Sequence, residues 1–309
     1  MPPDTIPTYY GQPAVKSSYY GWKVALYTIL GGIAGAAQAI VSMAQLLRPH
    51  RARALRSDGR VLSLAGTAAG AALLVADLHT PQRWYHMLRI FRPTSAMSLG
   101  TYILSGFGLA TLSGLWLDHS RLRRDGVAGR LLSMPGVLGG AGMGSYTAAV
   151  LAATSTPLWA AAPHELGAEF AAGAMADGAA CLSALALRRG DYRSARGLDA
   201  VACVSLAAEL AASRAAARAR RRQGVDGPLR RGPWAAVHAA GTAAGVALPI
   251  VCYGLNALRG YSPRRSALAA AGIVGGSLLK RWSLFEAGNQ SARQPDEYFR
   301  MTGGRPWRP

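Results

Sequence analysis

The stretch Trp22-Lys23-Val24-Ala25-Leu26-Tyr27-Thr28-Ile29-Leu30-Gly31-Gly32-Ile33-Ala34-Gly35-Ala36-Ala37-Gln38-Ala39-Ile40-Val41-Ser42-Met43-Ala44-Gln45-Leu46-Leu47 decides the fold. Its one charged residue, Lys23, sits at the start. At 1.5 Å per residue a helix of this length exceeds the ~30 Å of a bilayer's hydrocarbon core. Gly31, Gly35, Gln38, Ser42 and Gln45 recur at alternating steps of four and three, which sets small and amide groups on one face. Such a stripe lets neighbouring helices approach closely and bond across in lipid.

Seven more spans of this kind follow: Val61 to Leu78, Ser98 to Leu117, Leu131 to Ala153, Glu165 to Leu187, Leu198 to Ala217, Pro233 to Leu258 and Arg265 to Phe285. The predicted fold class is an all-α integral membrane protein of about eight transmembrane helices in two four-helix bundles, covering 22–153 and 154–286. Extramembrane segments are expected at 1–21 and 287–309. The residues before Trp22 lack a basic n-region and a small-x-small cleavage site, so the first span is expected to remain as an anchor.

The chain carries a net charge of +19. A nucleic-acid surface would gather those cations on one face. Here they are expected in short connectors: Arg48, Arg51, Arg53, Arg56 and Arg60 after the first span, Arg121 to Arg130 after the third, Arg188 to Arg196 after the fifth. Nucleic acid is therefore not an expected partner, and the bilayer is. The distribution in the first half predicts an outside N-terminus in a bacterial cytoplasmic membrane. The second half carries no such bias.

Between the second and third spans lies Asp77-Leu78-His79-Thr80-Pro81-Gln82-Arg83-Trp84-Tyr85-His86-Met87-Leu88-Arg89-Ile90-Phe91-Arg92-Pro93-Thr94-Ser95. Thr80 caps and Pro81 opens a predicted helix that Arg92-Pro93 ends. Trp84, Leu88 and Phe91 would share one face and Gln82, His86 and Arg89 the other, as in a helix lying in the membrane surface.

Other spans carry stripes too. Ser63, Gly66 and Gly70 lead toward Asp77. Gly139 and Gly142 are expected to clear space beside Tyr146. His238, Thr242, Gly245, Pro249, Tyr253 and Asn256 form a stripe with an expected proline kink. Ionisable groups inside spans are costly and face protein or water, which marks Asp177 and Glu209 as candidates for a proton path or for buried hydrogen bonding. At Asp77 a cap or a salt bridge to Arg83 or Arg89 competes with a chemical role.

Cys181, Cys203 and Cys252 show no cluster spacing, so no metal, zinc or iron–sulfur site is expected in the chain. Of six histidines only His238 lies well inside a span, so no haem is expected either.

The pattern Thr8-Tyr9-Tyr10-Gly11-Gln12-Pro13 with Lys16 and Trp22, Gly31-Gly32, Asp77-Leu78 with Pro81, Arg83 and Met87-Leu88-Arg89, and Phe91 through Ser98 resembles the NrfD/polysulfide reductase membrane-subunit family. Tyr146-Thr147, Thr156-Pro157-Leu158-Trp159, Arg281 through Gly288 and Ser291-Ala292 continue the likeness over nearly the whole chain. The resemblance implies a subunit that exchanges electrons between a membrane quinone such as menaquinone, bound as substrate, and a ferredoxin-like iron–sulfur subunit, usually with a molybdopterin catalytic subunit. Quinol oxidation releases two protons, so Asp77 and His79 are expected as acceptors, with Tyr146 meeting a quinone oxygen and Gln38, placed deeper by the outside N-terminus, as a second donor. Tyr146 at a span end is equally readable as an interfacial anchor. Tyr10, Arg83, Arg89 and Arg92 are expected to dock the partner. The likeness is weaker at the start of the first span, where only Lys23, Tyr27 and Thr28 offer polar groups. A stand-alone transporter and a purely structural anchor are the competing readings.

Overall fold

Helix α1, Trp22–Leu47, is the inner wall of the molecule. In this computed structural model the structure describes residues 18, 20–47, 49–78, 80–89, 91–92, 95–119, 134–294 and 297. Seven more long helices follow: α2 Pro49–Ala76, α3 Ala96–His119, α4 Met134–Ala152, α5 Pro163–Arg188, α6 Tyr192–Gln223, α7 Pro233–Leu258 and α8 Pro263–Ala292. Among the described residues there is no strand, and α1, α2, α5, α6 and α7 are long and apolar enough to cross a membrane by length and composition. The protein is an all-α, multi-pass membrane protein.

The glycine stripe of α1 does what its spacing predicts. A Cβ on Gly35 would lie 2.6 Å from the Gly140 carbonyl, and one on Gly31 would lie 3.2 Å from Met143, so α1 and α4 touch backbone to backbone. On another side Ser63 of α2 donates to the Ala34 carbonyl (2.8 Å). Gly32 faces Ala174 and Gly178 faces Ala36, which packs α5 parallel to α1 and joins the two predicted bundles along a shared helix. The step from α4 to α5 runs through the short helical turn Pro157–Ala160.

Several expected connectors are helical. Helix α2 begins at Pro49, so Arg56 and Arg60 ride on it and are buried (5% and 7% exposed) rather than solvated. Arg60 donates to the Gly114 carbonyl of α3, and Arg189 pairs with Asp58 at 2.6 Å. Helix α6 likewise continues through its arginines to Gln223, where Gly224 ends it in the left-handed conformation (φ 70°). Asp191 opens α6 by accepting from the Ser194 N–H (3.0 Å), and the Ser194 hydrogen bonds hold its carboxyl below its ordinary range. Helix α8 runs on to Ala292, past the expected end of the last span at Phe285.

The Asp77–Ser95 connector is corrected in form. Pro81–Leu88 is a 3-10 helix, broken by non-helical angles at Arg83, and Thr80 makes no side-chain cap. With about three residues per turn, Trp84 and Leu88 do not share a face. Tight turns win here because the segment is too short for a stable α-helix and its end is tied to α3: Tyr102 Oη donates to the Leu88 carbonyl (2.9 Å), and its ring meets Phe91 edge-on at 5.0 Å.

Helix α7 breaks where the proline predicted it, but as a π segment, Ala243–Ala247, ahead of the buried Pro249. Proline supplies no N–H to the preceding turn, and a widened turn accommodates the loss. Gly241 and Gly245 press this segment onto α8, where a Cβ on Gly276 would overlap the Gly245 backbone. Gly276→Ala is expected to cost about 1–3 kcal/mol by overpacking, read as a lower midpoint in detergent unfolding; Gly275→Ala, with open space around its Cβ, serves as the silent control.

Candidate functional site

One end of the first four helices gathers the groups expected to handle quinone. Asp77 ends α2 and pairs with Lys23 at 3.6 Å, rather than with Arg83 or Arg89, and Lys23 also donates to the Ala76 carbonyl (3.3 Å). One turn further along α1 is the buried Tyr27, whose ring fits against Gly70. Tyr146 of α4 lies within electrostatic reach of Tyr27 and Tyr20. Its ring occupies the space left by Gly100 of α3, which any Cβ there would fill. The expected room-makers serve other contacts: Gly139 faces Phe107 and Gly142 faces Ile103.

Gln38 is not part of that end. It donates to Ser42 Oγ (3.3 Å) and packs against Gly136. Tyr146 stands ten residues beyond Gly136, roughly 15 Å along the helix, more than one quinone ring and its hydrogen bonds bridge. His79 and Tyr10 lie outside the described residues. Arg83, Arg89 and Arg92 are exposed, and Trp84, Tyr85 and Phe91 beside them are about half exposed, so cations and aromatic rings share this surface.

The second four helices hold a buried ion set. Lys280 of α8 forms a direct charge-assisted hydrogen bond with Glu209 of α6 and stands 3.5 Å from Glu169 of α5. One turn away Ser277 donates to Asp177 (2.8 Å), and Arg281 reaches the same carboxylate at 3.7 Å. Arg281 also donates to the Thr28 carbonyl of α1 (2.7 Å) and lies 4.8 Å above the Phe170 ring. Arg220 is buried close by, and its charge reaches Glu169 while its Nε donates to the Leu158 carbonyl (3.1 Å). Three carboxylates thus face three cations on α5, α6 and α8.

Asp177 and Glu209, predicted separately, meet in this one cluster. Glu169 and Lys280 were not singled out from sequence, and Arg281 entered only as the start of the family-like stretch to Gly288. The same signal applies to them, because each is an ionisable residue within or near an expected apolar span. A cavity of about 10 Å³ lies between Glu169, Gly173, Glu209, Ser277, Lys280 and Arg281, room for about one water molecule and far too small for a quinone. Gly173 keeps it open, since a Cβ there would stand 3.3 Å from the Glu209 carboxylate.

His238 is held by Ser283 (3.1 Å). Among the described residues no three His, Cys, Asp or Glu side chains gather as metal ligands, and Cys181, Cys203 and Cys252 are free thiols.

Comparison with curated proteins gives no match. The model of the family described as "Polysulphide reductase, NrfD" matches residues 13–292, which include all eight long helices, the Asp77–Ser95 connector and the buried ion set. With nearly the whole chain matched and the helical membrane architecture in place, the protein belongs to the NrfD family, whose members are generally membrane subunits of complexes with partner subunits.

Proposed function

We propose that this chain is the quinone-facing subunit of an oxidoreductase complex in a bacterial cytoplasmic membrane, passing electrons between a quinone such as menaquinone and a ferredoxin-like iron–sulfur subunit that serves a molybdopterin catalytic subunit. The observation that carries the reading is family membership over residues 13–292, joined to one end of the bundle where a titratable carboxylate, two tyrosines and an exposed basic, aromatic surface lie together.

In the oxidation direction, a quinol loses two electrons and two protons. Tyr146 hydrogen-bonds a ring oxygen. Asp77, at the end of α2 and paired with Lys23, takes a proton and releases it to water, while His79 accepts the second. Tyr10, Arg83, Arg89 and Arg92 seat the acidic partner, with the N-terminus on the outer side. The Asp177–Glu209 cluster, with its water-sized cavity, is a proton path in the second half.

The test is quinol-dependent turnover of the purified complex. Tyr146→Phe and Asp77→Asn are each expected to lower it about 100-fold, within the range of general acid–base contributions. Wild-type turnover in both variants overturns the site, and substrate-specific uptake by the chain alone in liposomes would favour a transporter instead.

A further inference from the structure

We propose that the exposed side of α6 holds an anionic phospholipid, with Arg214, Arg218 and Arg222 binding its phosphate headgroup. The site is separate from the quinone reading and uses none of its residues.

Val204, Ala208 and Ala211 lie along the exposed side of α6, with Val204 72% exposed. Steps of three and four residues carry that side on to Arg214, Arg218 and Arg222, which are exposed as well. The opposite side, with Ala202, Leu206, Glu209 and Arg220, is the one packed on the bundle. In a membrane-spanning helix, an apolar side turned away from the bundle meets acyl chains. The arginine stripe therefore rises directly out of a lipid-facing surface.

The depth of the stripe follows from the buried Arg220. Its Nε donates to the Leu158 carbonyl of the Pro157–Ala160 turn, which marks this end of the bundle. Along the helix axis Arg222 stands about 3 Å outside that level, Arg218 about 3 Å inside and Arg214 about 9 Å inside. One headgroup layer is roughly 5–8 Å thick. The stripe thus runs from the outer edge of the headgroups to the top of the hydrocarbon, where a long arginine side chain extends its guanidinium back to the phosphates. It lies on the flank of the protein, so a subunit seated on the end of the bundle would meet Arg222 and leave Arg214 uncovered.

The neighbouring arginines have protein partners. Arg221 and Arg230 share Asp226 (3.5 and 3.7 Å). Among the described residues no carboxylate pairs with Arg214, Arg218 or Arg222. An unpaired cation beside hydrocarbon is costly, and the partner a bilayer supplies at this depth is a phosphate, which a guanidinium binds through two parallel N–H bonds. The acidic residues of α6, Asp199 and Glu209, are both buried on its packed side, so nothing on the exposed side of this helix meets a lipid ammonium group. The chemistry therefore favours a headgroup of net negative charge over a zwitterionic one. The stripe spans about 12 Å, long enough for two phosphates.

Native mass spectrometry of the full chain, released from nanodiscs of mixed phosphatidylglycerol and phosphatidylcholine, counts the lipids that stay bound. Wild type is expected to retain phosphatidylglycerol about 10-fold or more over phosphatidylcholine, and the triple variant Arg214→Gln, Arg218→Gln, Arg222→Gln to lose that preference. The variant Arg193→Gln, Arg259→Gln, Arg264→Gln removes the same charge from exposed positions at the other end of the bundle and is expected to keep it. Equal retention of the two lipids by wild type, or equal loss in the two triple variants, overturns the site. If the first triple variant fails to fold, wild-type retention at rising salt carries the test, and a preference that salt does not weaken overturns the site. Displacement of the lipid by excess inorganic phosphate would mean a free-anion site. Loss of a partner subunit from the complex of the first triple variant, with lipid retention unchanged, would mean a protein-docking surface. Either result overturns the lipid assignment.

Discussion

Lys280→Met is expected to destabilise the protein by about 3–5 kcal/mol, the cost of breaking a buried ion pair from one side. Lys280 is 5% exposed and lies between Glu169 and Glu209, themselves 6% and 7% exposed. Methionine fills a similar volume, so the loss is electrostatic rather than steric. Two carboxylates are left facing a cavity that holds about one water, which solvates neither adequately. Unfolding in mixed detergent micelles measures the change. The triple variant Lys280→Met, Glu169→Gln, Glu209→Gln is expected to recover most of it, because removing a whole buried ion set is far less costly than removing one member. A change under about 1 kcal/mol in the single variant would mean the carboxylates find other partners, and the charge matching would lose its structural role.

Trp159→Ala is expected to cost a similar amount, about 3–5 kcal/mol, by cavity formation. Trp159 is fully buried in the Pro157–Ala160 turn, and its indole N–H donates to the Leu284 carbonyl (3.0 Å). Its ring packs at 5.8 Å on Phe285 and 6.2 Å on Tyr20, and Gly288 gives it space that a Cβ would take. The substitution empties a site where the turn, α8 and the segment before α1 meet, and removes the second donor to a buried carbonyl that stays bonded within α8. The same unfolding assay reads it. Trp159→Phe, which keeps much of the volume, should lose distinctly less; equal losses would assign the effect to the hydrogen bond.

The first-span stripe shows why much of the fold was legible. Helix–helix contact in lipid depends on small side chains, and Gly31 and Gly35 carry that requirement in their spacing. Among the described residues eight apolar runs likewise correspond to eight long helices. Their ends were not legible. Arg56, Arg60 and the arginines up to Arg222 were assigned to connectors because cations are expensive in hydrocarbon. The helices continue through them because partners on other elements, such as the Gly114 carbonyl for Arg60 and the Leu158 carbonyl for Arg220, take up the charge. The connector helix failed for a related reason. Periodicity assumes 3.6 residues per turn, whereas a short segment tied to Tyr102 settles into 3-10 geometry.

Sequence by itself determined that the chain is a helical membrane protein, where its spans lie, which faces pack, and which family it resembles, because hydropathy, small-residue spacing and motif order are local in the chain. Only the tertiary structure decided which distant residues share a site. Asp177, Glu209, Glu169, Lys280 and Arg281 come from three helices and up to about a hundred positions of separation. Gln38, expected as a deeper second donor beside Tyr146, lies well apart from it along the α1–α4 contact. The register between helices settles both outcomes, and it follows from the summed packing of whole faces, which no single motif encodes.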